Sequence, residues 1–204
     1  ARLHQKVFEE RFYYWADKLG YLTWGEAPSW GLDANAVEAA RNFITEWRNL
    51  VVRDINHPSI VTWTPFNEEF WPDQTQFPRF VNDVYTLTKQ LDPSRPVNTV
   101  SGGIQILTDI WTEHHYEQDP ARLKEIIYDG GKMFVRGPSI QERHRGNVGF
   151  NRPVLSDPFT FPRYDGSIPY ILDEFGGIKC MEANPSKDGA WGYGDAAQTK
   201  EDFY

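Results

Sequence analysis

The chain has 204 residues, of which 40% are hydrophobic and 25% are charged. This length can bury one sizeable core, so we expect a single domain over residues 1–204. The net charge of −8, without a basic stripe, argues against nucleic acid as a partner. No apolar run approaches the roughly 20 residues that span a bilayer, so no membrane partner is expected. The single cysteine, Cys180, excludes an internal disulfide and does not indicate a compartment.

Apolar periodicity predicts strands that alternate with helices. The predicted elements are a strand exit at 1–7, a helix at 8–19, a strand at 21–24, a helix to about residue 50, a strand at 60–66, a helix at about 77–91, strands at 97–101 and 109–116, a helix near 120–129 and a strand at 169–174. The first helix is expected to bury Phe8, Phe12, Trp15 and Leu19, and Asp33 or Asn35 is expected to cap the second.

The alternation of strands and helices favours parallel βα units. A closed (β/α)8 barrel needs eight strands and about 250 residues. We therefore expect an α/β fold of the (β/α)8 TIM-barrel type that is incomplete, with about five to six of the eight βα units present.

Two short apolar strands each end in a glutamate. The first begins Ile60-Val-Thr-Trp63 and turns polar at Asn67-Glu68, and the second, Pro169-Tyr-Ile-Leu-Asp-Glu174, leads into Gly176-Gly177. Barrel enzymes place catalytic groups at the C-terminal ends of such strands. Glu68 and Glu174 therefore suggest an acid/base and nucleophile pair that cleaves a bond to a sugar. The alternative for Glu68 is a solvated acid that pairs with a nearby arginine.

Aromatic and polar side chains near the strand ends are candidates for contact with a substrate. Aromatic residues make up 15% of the chain, and Trp and Tyr offer flat faces with a polar group that suit sugar rings. The candidates are His4, Trp24, Glu26, His114, His115 and Tyr116. The alternative for the histidines is a hydrogen-bonded core position, and Trp24 and Glu26 have a structural alternative as well. Tyr116 is also a candidate for orienting the nucleophile.

We predict neither a metal nor a cofactor. Glu113, His114 and His115 lack the ligand spacing of a zinc site, such as two ligands four positions apart on a helix. Residues from about 130 to 167 are rich in Gly, Pro, Arg and Asp and show little periodicity. A long irregular insertion is expected there, as a lid or wall of the substrate pocket.

Short phrases spread along the chain form a further pattern. They are Arg2-x-His4-x-Lys6, Tyr13-Tyr-Trp-Ala-Asp-Lys-Leu-Gly20, Arg53-Asp-x-Asn-His-Pro-Ser59, Asp92-Pro-Ser-Arg-Pro96, His114-His-Tyr116 and Glu174-Phe-Gly-Gly177. In this order, over about residues 1–120 and 168–204, the chain resembles the catalytic barrel of family 2 glycoside hydrolases, the β-galactosidase and β-glucuronidase relatives.

The resemblance implies that Glu68 is the general acid/base at the end of barrel strand four and that Glu174 is the nucleophile at the end of strand seven. It also implies that Asn67 contacts the sugar 2-hydroxyl and that the reaction retains configuration through a covalent glycosyl-enzyme. By the same alignment the chain lacks strand one, most of strand two and strand eight. The family usually has a glycine before its Asn-Glu, where this chain has Pro65-Phe66, a departure that bears on substrate choice.

A retaining reaction needs two carboxyl groups about 5–5.5 Å apart, one of them protonated. We expect burial and the neighbouring carboxylate to raise the pKa of the protonated one. The leading hypothesis is a β-galactosidase-like enzyme that removes a terminal β-linked sugar from an oligosaccharide or glycoside.

Other functions remain open at this point. A β-glucuronidase, a β-mannosidase or an endo-acting relative would use the same two glutamates. An alternative from a different class is that the chain is an inactive carbohydrate-binding barrel fragment. Unpaired sheet edges invite association, so a homo-oligomer or pairing with missing barrel segments is a further alternative.

Overall fold

The computed structural model describes residues 1–69, 76–103, 105–129, 132–133, 164–181 and 192–203. The helices are α1 (Glu10–Leu19), α2 (Val37–Asp54), α3 (Phe77–Leu91), α4 (Pro120–Ile127) and α5 (Lys200–Phe203). The strands are β1 (Thr23–Glu26), β2 (Ile60–Thr64), β3 (Phe66–Asn67), β4 (Val100–Ser101), β5 (Trp111–His115), β6 (Tyr128–Asp129), β7 (Lys132–Met133) and β8 (Tyr170–Phe175). Within these ranges, no helix combines the length and apolar character needed to cross a membrane.

Strands β1 to β5 and β8 pair in parallel, in chain order. β1 pairs with β2, β3 with β4, and β5 with β8. Parallel bridges extend this series from Arg2 to Trp24 and from Trp63 to Val97. β4 lies beside β5, and only the short β6–β7 pair is antiparallel among the described strands. Parallel strands in sequential order, with helices between them, agree with the predicted barrel.

Pro65 divides the strand predicted at 60–66 into β2 and β3. Proline has no N–H to donate to a ladder, so a strand that contains it is interrupted there. β2 pairs with β1 on one side, and β3 pairs with β4 on the other. The N–H of Glu68 then donates to the carbonyl of Ser101 at 2.8 Å. The break thus leaves Asn67 and Glu68 firmly attached to β4.

Aromatic side chains from α2, α3 and the central strands fill the core. Phe66 of β3 stacks on Phe43 of α2 with ring centroids 4.8 Å apart. Phe77 and Phe80 of α3 meet Phe66 edge to face. Such aromatic pairs contribute roughly 0.5–1.5 kcal/mol beyond the area they bury. The core therefore supports the strand that carries Asn67.

The prediction for the first helix holds only in part. Phe8 and Phe12 pack, partly buried, against the core. Tyr13 and Ala16 are buried, whereas Trp15 and Leu19 are 50% and 75% exposed. The helix has large apolar residues on more than one face, so spacing alone does not identify the face that meets the sheet. The ring of Tyr13 packs against that of His57, with centroids 5.2 Å apart, and this contact orients the helix.

Some element boundaries also differ. β1 spans Thr23–Glu26 and not residues 21–24. Glu26 is therefore part of the strand, as its last residue. α2 has Ala36 at its N-cap with no side-chain cap bond, so the predicted cap by Asp33 or Asn35 is wrong. Asn35 instead accepts a hydrogen bond from the N–H of Gln76 at 3.1 Å. The insertion predicted at 130–167 lies outside the described residues except at 132–133 and 164–167, where 132–133 form β7.

A buried carboxylate closes the turn between α3 and β4. Asp92 accepts hydrogen bonds from Trp63 Nε1 at 2.8 Å and from Arg95 Nη1 at 2.6 Å. Burial raises the pKa of Asp92, but its hydrogen bonds, including those from Ser94, outweigh burial and lower the pKa to about 2. The unfolded value is about 3.9. The ionised form therefore stabilises the fold above about pH 4, and this contribution is lost as the pH falls toward 2.

We expect Asp92→Asn to lower the free energy of unfolding by about 2 kcal/mol at neutral pH. The difference from the parent chain should shrink between about pH 4 and pH 2, because Asp92 of the parent takes up a proton there. Urea unfolding, monitored by tryptophan fluorescence, measures both the loss of unfolding free energy and its change with pH. Asp83→Asn, at an exposed position on α3, is the matched control and should be nearly neutral. Equal unfolding energies for the parent and Asp92→Asn at neutral pH would contradict this role.

Candidate active site

Arg2 joins side chains from several strands at the C-terminal end of the sheet. Its guanidinium is buried. Nη1 donates to Glu26 Oε2 and to Asn67 Oδ1, each at 2.8 Å, and Nη2 donates to Glu174 Oε2. The planar guanidinium holds several acceptors in fixed directions. One cation therefore positions residues of β1, β3 and β8 relative to one another.

The two predicted glutamates come together at this end. One carboxylate oxygen of Glu68, one of Glu174 and one ring nitrogen of His114 lie within 4.8 Å of one another. The hydroxyl of Tyr116 donates to Glu174 Oε1 at 2.6 Å and lies 3.3 Å from Glu68 Oε1. Glu68 has a φ of 48°, a left-handed conformation that costs a non-glycine residue roughly 1–3 kcal/mol. Strain of this kind concentrates at functional sites.

His114 is the immediate neighbour of Glu68. Its Nδ1 lies 2.6 Å from Glu68 Oε1, and its side chain is fully buried. Burial lowers the pKa of His114, but hydrogen bonds with Asp173 and Glu68 outweigh burial and raise the pKa to about 9. A protonated ring is therefore expected at neutral pH.

The environment of Glu68 corrects one expectation. Burial raises the pKa of Glu68, but the hydrogen bond and charge of His114 outweigh burial and lower the pKa below its ordinary value. The prediction of a raised pKa at this carboxyl is therefore wrong for the free chain. The sequence predicted that the carboxylate of Glu174 would lie near Glu68. It gave no signal that the His114 cation would contact Glu68 as well.

Glu26 and His4 also lie in the cluster. Glu26 is fully buried, and its Oε1 accepts a hydrogen bond from the N–H of Gln5 at 2.8 Å. Burial raises the pKa of Glu26 to about 7, against the opposing effect of Arg2. His4 is half exposed, with Nδ1 4.0 Å from Glu174 Oε2. Burial and the charge of Arg2 lower the pKa of His4, so its ring is neutral near pH 7.

Two other predicted site residues have different surroundings. His115 is buried, and its Nδ1 accepts a hydrogen bond from the N–H of Glu117 at 3.1 Å. The backbone of Trp24 bridges to Arg2, but its side chain makes no hydrogen bond or ring contact within the described part of the chain. Substrate contacts by His115 and Trp24 stay predictions.

The sequence analysis missed Asp173 and Ser101. The Ser101 hydroxyl donates to Asp173 Oδ2 at 2.6 Å, and Asp173 Oδ1 lies 3.4 Å from His114 Nε2. Neighbours on a regular strand point to opposite faces, so Asp173 was not expected beside Glu174. In the pairing of β5 with β8, however, Glu113 is opposite Leu172 and His114 is opposite Glu174. Asp173 is thus the extra residue of a β-bulge, which brings both carboxylates to one site.

Trp30 was missed as well. Its Nε1 donates to the carbonyl of Asn67 at 3.0 Å, and its ring meets that of His4 edge to face at 6.0 Å. The side chain is 61% exposed, which leaves an aromatic face open beside the carboxylates. The sequence signal was a tryptophan just beyond the end of β1, where barrel enzymes build their sites.

Hydrogen bonds account for the approach of Glu68, His114 and Glu174 to one another. The Glu68–His114 contact has hydrogen-bond length, and Glu174 is held by Arg2 and Tyr116. We assign none of these residues to a metal, and the absence of a metal or cofactor stays a prediction.

Comparison with known families identifies the chain. The model of the TIM barrel domain of glycosyl hydrolases family 2 matches residues 9–145, which is more than half of the chain. The chain belongs to glycoside hydrolase family 2. This confirms the resemblance drawn from the sequence phrases.

Relatives of this family 2 chain include sugar-cleaving enzymes. The β-galactosidase of Thermoanaerobacterium thermosulfurigenes is 26% identical over 148 residues, which cover 72% of this chain and 18% of the relative. A protein of Formosa agariphila named as a putative β-glucuronidase is 34% identical over 106 residues, which cover 47% of this chain and 12% of the relative. The chain thus spans less than a fifth of the length of either relative.

A solved family 2 structure shares the fold. The β-galacturonidase from Eisenbergiella tayi, bound to galacturonate, matches with a TM-score of 0.58 and 18% identity over 87% of this chain and 29% of that one. Together with the family assignment, this confirms the predicted TIM-barrel class.

Gly102 provides a test of the placement of His114. A Cβ at position 102 would collide with the His114 ring, and the residue has a φ of 62°. Gly102→Ala should therefore displace His114 from Glu68 and lower the free energy of unfolding by about 3 kcal/mol or more. Gly31→Ala is the matched control, because Gly31 has a φ of 86° with open space at its Cβ. It should cost only about 1 kcal/mol. Equal losses of unfolding free energy in Gly102→Ala and Gly31→Ala, measured in urea, would show that His114 does not fill the space beside Gly102.

Proposed function

We propose that this chain carries the active site of a retaining β-glycosidase, with Glu174 as the nucleophile and Glu68 as the general acid/base. The separation of the two carboxylates carries the proposal, since an oxygen of each lies within 4.8 Å of the other. Retaining enzymes place these groups about 5–5.5 Å apart, whereas inverting enzymes leave roughly 6.5–9.5 Å for a water molecule. The observed approach fits the retaining reaction.

In the first step, a carboxylate oxygen of Glu174 bonds to the anomeric carbon while the bond to the leaving group breaks. Glu68 delivers a proton to the departing oxygen. In the second step, Glu68 takes a proton from water, the water oxygen bonds to the anomeric carbon, and the ester bond to Glu174 breaks. Arg2 and Tyr116 hold the two oxygens of Glu174, which fixes its direction of attack.

Asn67 supports the binding of a sugar. Its Oδ1 is occupied by Arg2, while its buried Nδ2 has no hydrogen-bond partner in the described part of the chain. An unsatisfied buried donor costs roughly 1–3 kcal/mol, so a substrate hydroxyl would be a favourable acceptor. We assign this contact to the sugar 2-hydroxyl. The open face of Trp30 would then stack against the substrate beside it.

The charges at the site favour a neutral sugar. A uronate would need a cation for its carboxylate, and within the described part of the chain the cations beside the two glutamates, Arg2 and His114, are both engaged with carboxylates. His4 is neutral near pH 7, because burial and Arg2 lower its pKa. A terminal β-galactoside, the substrate type named for the Thermoanaerobacterium relative, is therefore the first candidate. A β-glucuronide is the second, because another relative is named as a putative β-glucuronidase.

Hydrolysis of a panel of nitrophenyl β-glycosides by the full chain tests this function. The parent should turn over the β-galactoside with retained configuration, as followed by NMR of the released sugar. Glu174→Ala should abolish turnover, and Glu68→Ala should lower it by about 10²–10⁴-fold. Azide should rescue Glu68→Ala as the β-glycosyl azide and Glu174→Ala as the α-azide. Glu38→Ala, at an exposed position on α2, should match the parent.

Turnover that survives Glu174→Ala would overturn the assignment of the nucleophile. A parent chain inactive on every glycoside would overturn the proposal that this chain acts as a hydrolase by itself. Binding of a β-glycosyl inhibitor that Asn67→Ala removes would then favour a carbohydrate-binding barrel.

A further inference from the structure

We propose that Asp173, acting through Ser101, holds His114 in its doubly protonated form, and that His114 and Glu68 share the proton that the leaving group receives. This role rests on the proposed function of Glu68 as the acid. It makes Asp173, Ser101 and His114 positioning residues for the acid step.

A continuous line of polar contacts runs from β8 to the residue after β3. The Ser101 hydroxyl oxygen lies 2.6 Å from Asp173 Oδ2 and 2.9 Å from His114 Nε2. On the other side of the ring, His114 Nδ1 lies 2.6 Å from Glu68 Oε1. Asp173 Oδ1 adds a charge 3.4 Å from His114 Nε2.

The direction of each hydrogen bond follows from its end groups. An ionised carboxylate only accepts, so Ser101 donates its single hydroxyl proton to Asp173. Ser101 then offers a lone pair to His114, and Nε2 must carry a proton to make that contact. Glu68 is a carboxylate acceptor on the opposite side, so Nδ1 carries a proton as well. Each hydrogen bond from Asp173 to Glu68 has both a donor and an acceptor only when the His114 ring is an imidazolium.

Burial and charge support the imidazolium. The groups around it are Glu68 after β3, Asp173 and Glu174 on β8, Arg2 and His4 near the start of the chain and Tyr116 beyond β5. Burial lowers the pKa of His114, but its hydrogen bonds with Asp173 and Glu68 and the charges of Asp173 and Glu174 outweigh burial and raise the pKa to about 9.

The shared proton resolves a conflict at Glu68. An acid catalyst must supply a proton, but the contact with His114 keeps the Glu68 carboxylate ionised in the free chain. As the bond to the leaving group breaks, Glu68 receives at Oε1 the proton from His114 Nδ1 and passes a proton on to the departing oxygen, so that Glu68 ends as a carboxylate. His114 becomes neutral. In the second step, Glu68 takes a proton from water and His114 regains one from Glu68.

The proton that Glu68 and His114 share determines how the acid step depends on pH. The pair is a competent acid while it holds one proton, and it loses that proton as the pH rises through the pKa of the pair. The negative charge of Asp173 favours the imidazolium, so it keeps the proton bound to higher pH. Removal of this charge should move the alkaline limb of the acid step to lower pH.

Asp173→Asn in the full chain tests the role of Asp173. NMR of ring-labelled histidine follows His114, with His114→Gln to assign its signal. We expect His114 to titrate well above pH 7 in the parent and at least one pH unit lower in Asp173→Asn. The alkaline limb of kcat/KM should move by a similar amount for a phenyl glycoside. It should not move for a dinitrophenyl glycoside, whose leaving group needs no acid.

Ser101→Ala is the second variant, because it leaves the charge beside Arg2 intact and is useful should Asp173→Asn fail to fold. It should lower the titration of His114 in the same direction, while Ser101→Thr, which keeps the hydroxyl, should retain the parent value. A His114 that titrates below pH 7 in the parent overturns the proposal. So does a His114 titration that neither Asp173→Asn nor Ser101→Ala changes.

The titration separates this role from the proposed function, since it requires no turnover. If His114 shifts as expected but hydrolysis survives Glu174→Ala, the hydrogen-bond line stands and the assignment of the nucleophile fails. If Glu68 and Glu174 prove catalytic but His114 titrates below pH 7, the catalytic pair stands and the shared proton is overturned.

Discussion

The contacts of one guanidinium organise the polar end of this barrel. Arg2 precedes β1 by many residues, yet it contacts Glu26, Asn67 and Glu174 at the ends of three different strands. Carboxylates so close together repel one another, and a buried charge without a partner costs several kcal/mol. The buried cation offsets both penalties. The positions of these carboxylates therefore depend on Arg2, which precedes all of them in the sequence.

A second cation, His114, lies among the same acids. Arg2 donates to Glu26 and Glu174 and lies 3.8 Å from Asp173, whereas His114 contacts Glu68 at 2.6 Å and lies 3.4 Å from Asp173 and 3.5 Å from Glu174. The two cations differ in kind, because arginine keeps its charge at any ordinary pH and histidine can release its proton. The proposed nucleophile, Glu174, is thus hydrogen-bonded to a fixed charge, and the proposed acid, Glu68, is in contact with an exchangeable one. This asymmetry suits a reaction in which one carboxylate forms bonds to carbon and the other transfers protons.

The sequence predicted the parts of the molecule that depend on local pattern. The alternation of strands and helices identified the barrel class, and two apolar strands that end in glutamate located the carboxylates that come together. The phrases around them identified the family. Features that depend on long-range contact were not predictable. The buried face of α1 follows from the contact between Tyr13 and His57, and the pKa of Glu68 follows from His114, which lies 46 positions away in sequence.

The β-bulge at Asp173 has a consequence for the identity of the carboxylate that we propose as the nucleophile. In an uninterrupted ladder, the partner of His114 would be Asp173, and Glu174 would pair with His115. The extra residue moves Glu174 into place opposite His114. An aspartate side chain is one methylene shorter than a glutamate side chain, so regular pairing would place a shorter acid opposite His114. Which of two adjacent acids lies opposite His114 is therefore decided by the backbone register of β8 and not by the order of its residues alone.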